Sequence, residues 1–251
     1  MKIISNRLSL NKEMFRIVFV FNLLLIVLFV GSCKKEAVID AFAYDETYEP
    51  KQWDKLSIVD YYYLLPYSWS IHGNASYEYK KAFLEAPLDN RGVDGKESVW
   101  EATNVSLSSG AISVRQVGGS GGEGYSKEYV MWKRKSDSDL IGINDIHCTM
   151  GGCVSEITFL TFKNRKWYPV TQQVFPGIED QEIEYLKSQK YKLNSEAEYP
   201  SNSDTPIRCS LPWIGKDIQC GIDFGYEDNE FEKTSKIKYV FQDNRFVLEE
   251  K

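Results

Sequence analysis

Histidine is nearly absent from this chain, with two residues in 251, His72 and His147. A metal centre of three or more histidines is therefore excluded, and nothing in the sequence ties His72 to His147. No G-x-S-x-G nucleophile elbow occurs, so Ser-His-Asp catalysis has no sequence support. Clusters of basic residues are missing too: 30 Lys and Arg are dispersed among 36 Asp and Glu, for a net charge of −6. Phosphate backbones are bound by clustered cations, and no nucleic-acid partner is expected. A long apolar run is found only near the N terminus, and no further membrane-spanning segment is needed to explain the rest.

That N-terminal stretch is informative. Lys2, Arg7, Lys12 and Arg16 precede an apolar run from Ile17 to Val30, interrupted by Asn22. A transmembrane helix wants about 20 apolar residues, whereas roughly 7–15 behind positive charge is the pattern of a secretory signal peptide. Met14 would open a tidier signal than Met1. The run ends in Val30-Gly31-Ser32-Cys33, which resembles the lipobox of bacterial lipoproteins: a branched apolar residue, two small residues, then cysteine. The resemblance covers the leader alone, and no family is recognised for the mature domain. It implies that residues 1–32 are removed as a signal peptide and that the Cys33 thiol carries diacylglycerol. One acyl chain binds a bilayer marginally, at about 0.8 kcal/mol per buried methylene, and the two or three chains of this family make the attachment durable. Lys34, where Asp would favour inner-membrane retention, implies the outer membrane or cell surface.

Four cysteines remain beyond Cys33: Cys148, Cys153, Cys209 and Cys220. In an oxidising compartment an even set predicts two disulfides. Two strand-like segments around Cys209 and Cys220 reverse between Ile214 and Gly215, which places the two cysteines opposite each other at a separation a disulfide accepts. Cys148 and Cys153 then close the loop Thr149-Met150-Gly151-Gly152.

Residues 33–52 are polar and aperiodic, and they read as a lipidated N terminus and flexible tether. A single β-rich domain is expected over 53–251. Ser57 with Asp60 resembles a capping box for a short helix stopped before Pro66, and a second helix is expected over Ile178–Gln189. Most of the rest alternates between turn residues: 111–117, 129–133, 140–143, 156–162, 166–170, 237–241 and 246–249. Turns at 136–139, 164–165 and 243–244 join neighbours as hairpins. The expected fold class is α+β, a mostly antiparallel β meander with two short helices. Phe159–Trp167 (FLTFKNRKW) and Tyr239–Phe246 (YVFQDNRF) each show an aromatic-bearing strand, an Asn-Arg turn and an aromatic return strand. Two copies fall short of a tandem repeat.

Gly119-Ser120-Gly121-Gly122-Glu123-Gly124 satisfies G-x-G-x-x-G in form. The dinucleotide fingerprint needs a helix to follow, and a strand is expected here instead, so no nucleotide cofactor is implied. His147, Cys148 and Cys153 invite a metal or nucleophile reading, which the exported setting turns into a disulfide. Acids such as Asp145, Glu156, Asp217 and Asp223 leave a hydrolytic carboxylate pair open, with no pair nominated. Aromatics cluster early in the mature chain, and Tyr62, Tyr67, Trp69, Tyr77 and Tyr79 are candidates for a binding face against the alternative of core packing. The expected function is a membrane-anchored envelope or cell-surface lipoprotein with a non-enzymatic module binding protein or polysaccharide. An envelope hydrolase using two acids, and a structural, assembly, inhibitor or immunity lipoprotein, are the alternatives. No cofactor or metal is expected.

Overall fold

Ser57 opens the first helix, α1 (Ile58–Leu64), with a reciprocal cap: its hydroxyl accepts from the Asp60 amide, and the Asp60 carboxylate accepts from the Ser57 amide at 2.7 Å. The helix stops where Pro66 disfavours helical geometry in the preceding residue. The computed structural model describes residues 42–70, 76–85, 99–117, 124–135, 138–149, 151–190, 205–224, 231 and 235–249. The leader, the lipobox, His72 and residues 118–123 of the glycine-rich segment lie outside them.

Around α1 the chain builds two antiparallel sheets. The larger comprises β1 (Phe42–Ala43), β2 (Val99–Ser106), β3 (Ala111–Val117), β4 (Gly124–Trp132), β5 (Leu140–Thr149), β6 (Gly152–Lys163) and β7 (Lys166–Pro169). Its order, β1-β7-β6-β5-β4-β3-β2, is a meander completed at one edge by the N-terminal strand. The smaller sheet, β11-β10-β9-β8, contains β8 (Ile207–Ser210), β9 (Ile218–Ile222), β10 (Lys236–Gln242) and β11 (Arg245–Leu248). With helices α2 (Tyr77–Glu85), α3 (Thr171–Val174) and α4 (Asp180–Lys190), this is an α+β, mostly antiparallel β fold. Among the described residues no helix is long and apolar enough to cross a membrane.

Alternation along the strands sends successive side chains to opposite faces, and both faces of the large sheet are covered. On one face Tyr129, Ile141, Ile143 and Leu160 pack against Tyr61, Tyr62 and Leu65 of the helical layer. On the other, Trp132, Leu140 and Phe159 meet Ile218, Tyr239 and Phe246 of the small sheet. The two buried indoles keep their N–H groups bonded: Trp167 Nε1 donates to the Leu64 carbonyl at 2.9 Å and Trp132 Nε1 to the Lys216 carbonyl at 2.9 Å. Gly142 lets the Trp132 ring cross β5, because a β-carbon there would sit 2.7 Å from that ring.

Both disulfides form as the sequence predicts. Cys209 pairs with Cys220 in direct register, and Cys148 with Cys153. Cys209 occupies a non-hydrogen-bonded position of the β8–β9 pair, so its backbone groups point away from β9. They meet the large sheet instead: the Cys209 amide donates to Ser155 Oγ at 2.9 Å, and its carbonyl accepts from Asn144 Nδ2 at 2.9 Å. Glu128 completes the junction by accepting from Asn144 Nδ2 at 2.8 Å and from the Leu211 amide at 2.9 Å.

Several expectations need correction. Residues 42–52 do not continue the tether: β1 pairs with β7, the Asp45 amide donates to the Leu64 carbonyl, and Tyr44 and Tyr48 pack against the core. Their aromatic side chains hold them down despite the polar surroundings. Helix α2 went unforeseen because its inward position 80 is a lysine, which interrupts the apolar period. Strand β2 was hidden by a bulge between Ala102 and Asn104 that breaks the alternation. The two similar hairpins turn on different residues, Asn164-Arg165 in one and Asp243-Asn244 in the other. Their shared Asn-Arg pair is therefore offset by one position.

Candidate functional site

The β6–β7 hairpin reverses in two residues, both with positive φ, Asn164 at 50° and Arg165 at 59°. This is the type I′ geometry, which favours Asn followed by Gly. An arginine in the second position costs about 1 kcal/mol relative to glycine. At the β10–β11 turn the same two places are filled by Asp243 and Asn244, residue types that tolerate that backbone. Arg165 is thus held in an unfavourable conformation, and the turn sets its guanidinium over the Trp53 ring, 4.3 Å from the centroid.

Trp53 and Arg165 border a solvent-open cleft of about 470 Å³. This lies within the roughly 300–1,000 Å³ of small-ligand sites. Its floor is aromatic: Phe162 lies nearly parallel to Trp53, with centroids 6.2 Å apart and planes at 13°, and Tyr61 joins them. Its rim is polar, with Asp54, Ser138, Asp139 and Asn164. The segment before α1, the first turn of α1, the β4–β5 connection and the β6–β7 turn each contribute. Glu49 stands behind Trp53, accepting from its Nε1 at 2.7 Å and pairing loosely with Arg165 at 3.9 Å. The Arg165 side chain remains 57% exposed.

Asp139 is already engaged. Its Oδ2 accepts from the Tyr61 hydroxyl at 3.1 Å and from Lys133 Nζ at 2.9 Å, and Lys133 also donates to the Leu56 carbonyl. Burial first, then the Asp139 charge, pushes the Tyr61 hydroxyl well above the ordinary tyrosine value. It therefore remains a proton donor across the physiological range. The described lining sets aromatic rings beside carboxylates, an amide and a guanidinium, groups that can hold a ligand through apolar contact and hydrogen bonds.

Of the aromatics nominated from sequence, Tyr62, Trp69 and Tyr77 do not line this cleft. Tyr62 is 1% exposed and packs edge-on against Tyr129 at 5.2 Å. Tyr77 lies against Tyr48 and Tyr63, and Trp69 packs on the same helix-side core, its carbonyl accepting from the Tyr129 hydroxyl. The side chains of Tyr67 and Tyr79 lie outside the described residues. Tyr62 cannot be a surface platform, because its ring closes the gap between α1 and the sheet. In the same core burial pushes Tyr63 up to about 12.

The other singled-out residues are accounted for locally. Gly124 begins a strand rather than a helix, so the glycine-rich segment lacks the context of a dinucleotide fingerprint. His147 stacks on Tyr125 with centroids 4.3 Å apart, beside the Cys148–Cys153 disulfide. Asp145 faces Glu156 across β5 and β6 and lies 2.6 Å from Lys127. Asp217 pairs with Lys238, and Asp223 with Arg208. Among the described residues no group of three or more His, Cys, Asp or Glu is placed to hold a metal ion. Trp53, Phe162 and Arg165 went unnoticed in the sequence; the available signal was an arginine in a turn position that demands positive φ.

No protein-family model matches the chain, and no curated protein matches it. Among solved structures, a domain of an uncharacterized protein from Porphyromonas gingivalis W83 aligns with 77% of this chain and 100% of its own, at 13% identity and a TM-score of 0.41.

Proposed function

We propose that this chain is a lipid-anchored lipoprotein of the bacterial envelope whose β-rich unit is a non-enzymatic binding module, displayed at the outer membrane or cell surface. The carrying observation is the cysteine inventory. Four of the five cysteines are joined as disulfides. The odd one, Cys33, stands at the end of an apolar run behind two small residues, the sequence setting in which a lipobox cysteine is alkylated. Disulfides inside β-hairpins are at home outside the reducing cytoplasm.

The cleft beside Trp53 is the natural binding site of such a module. A hydrolase built on a carboxylate pair is less well supported there, because Asp139 is bound by Tyr61 and Lys133 rather than free to act as acid or base. The anchor is tested by expressing the full chain and its Cys33→Ala variant in a bacterial host fed labelled palmitate. The parent should incorporate label and sediment with membranes, while the variant should lose the label and be neither processed nor retained in the same way. Equal labelling and retention of the two would overturn the reading.

A further inference from the structure

We infer that the cleft bordered by Trp53 and Arg165 is a subsite for a neutral saccharide. This rests on the reading of the unit as a binding module and names what the module takes. A pyranose ring has an apolar face of C–H bonds and an equator of hydroxyls, so it needs a flat ring beneath and hydrogen-bonding groups around. The cleft supplies both. The Trp53 and Phe162 rings are parallel to within 13° with centroids 6.2 Å apart, and with Tyr61 they line the cleft with aromatic carbon against which such a face can be buried. Asp54, Asn164 and Arg165 stand on the rim; carboxylate, amide and guanidinium are planar groups that meet two neighbouring hydroxyls at once.

The charges argue against an anionic ligand. Glu49 pairs with the Arg165 guanidinium, Asp54 lines the same rim, and the nearby Lys133 is already bound by Asp139. The pocket dimensions and polar rim argue against a protein partner, whose energetic centre is a well-packed apolar patch. The turn geometry points the same way. Glycine would suit the backbone at Arg165 better, but it could offer no donor to a ligand.

The test uses the full chain purified from membranes in a detergent without a sugar headgroup. Neutral trisaccharides of glucose, mannose and N-acetylglucosamine are titrated beside a galacturonic acid trimer and an uncharged tripeptide, read by tryptophan emission and saturation-transfer NMR. At least one neutral trimer should bind, with dissociation constants on the order of millimolar for so small a contact. Trp53→Ala should weaken that binding by about tenfold or more. Arg165→Gly should weaken it severalfold without lowering the melting temperature. Should Trp53→Ala fail to fold, Arg165→Gly and Asp54→Ala carry the test, since both side chains are exposed. Absence of binding by every neutral trimer, preference for the acidic trimer or the peptide, or unchanged affinity in all three variants would overturn the inference. The Cys33→Ala outcome is independent of these titrations, so the anchor and the ligand class stand or fall separately.

Discussion

The ammonium of Lys80 is fully buried, yet it has partners on every side: Asp45 Oδ2 at 3.1 Å and the carbonyls of Tyr63 at 3.0 Å and Leu65 at 2.6 Å. The two carbonyls close the C-terminal end of α1, where a cation complements the helix dipole and no glycine cap is present. Burial lowers the Lys80 pKa, and the Asp45 charge opposes that shift. Lys80→Met should cost about 3 kcal/mol, because it leaves two buried carbonyls without their donor and takes the cation from Asp45, which keeps only its bonds from Thr47. Urea unfolding measures it, and a loss near zero would mean that water takes the ammonium's place. Glu128 presents the reverse problem. Burial raises its pKa above the ordinary 4.5, against the lowering effect of the bonds from Asn144 and the Leu211 amide and of the Arg208 charge. The folded state therefore holds the proton more tightly than the unfolded one. The stability this group contributes is whole below about 4.5 and is lost as pH rises through the folded value. Glu128→Gln does not ionise, so its stability relative to the parent should grow between about pH 4 and about pH 7.5. Urea midpoints of both proteins at the two pH values give the comparison, and a pH-independent difference would contradict the assignment.

Elements were legible wherever local chemistry was self-sufficient. The Ser57–Asp60 capping box, the two-residue turns and the Cys209–Cys220 register follow from neighbours in sequence, and the structure reproduces them. Helix α2 and strand β2 were not legible, because a lysine held by a distant carboxylate interrupts the apolar period of one and a bulge between Ala102 and Asn104 breaks the alternation of the other. The disulfides can be ranked at this scale. Loop-closure entropy gives about 3 kcal/mol for the Cys209–Cys220 bridge and about 2 kcal/mol for the shorter Cys148–Cys153 loop. Cys209 and Cys220 are buried at 3% and 0% exposure, whereas Cys148 is half-buried. Under native conditions a thiol reductant should therefore open Cys148–Cys153 first, as alkylation and mass spectrometry would detect. Opening in the reverse order would show that the β8–β9 hairpin unfolds locally.

For the whole molecule, the fold class was readable and the cleft was not. Hydrophobic alternation and turn residues are local signals, and they predicted an antiparallel meander correctly. The cleft draws on Trp53, Tyr61, Asp139 and Arg165, which the β4–β5 connection, the β6–β7 turn and the helical layer bring together only after the sheet has formed. The early tyrosines misled for a related reason: composition gives their number, while their burial depends on α1 lying across the large sheet. Residues 42–52 belong to that arrangement as well, clamped by β1 and by the hydroxyl of Tyr48, which donates to Asp60. The junction at β8 also bears on how such molecules behave side by side. Under the anchoring proposed above, copies would crowd one another in two dimensions, and an unpaired strand margin invites a neighbour to add its own strand and seed a filament. Here the outward amide and carbonyl of Cys209 are already taken by Ser155 and Asn144, and the Leu211 amide by Glu128, so these groups are withheld from a neighbour's strand.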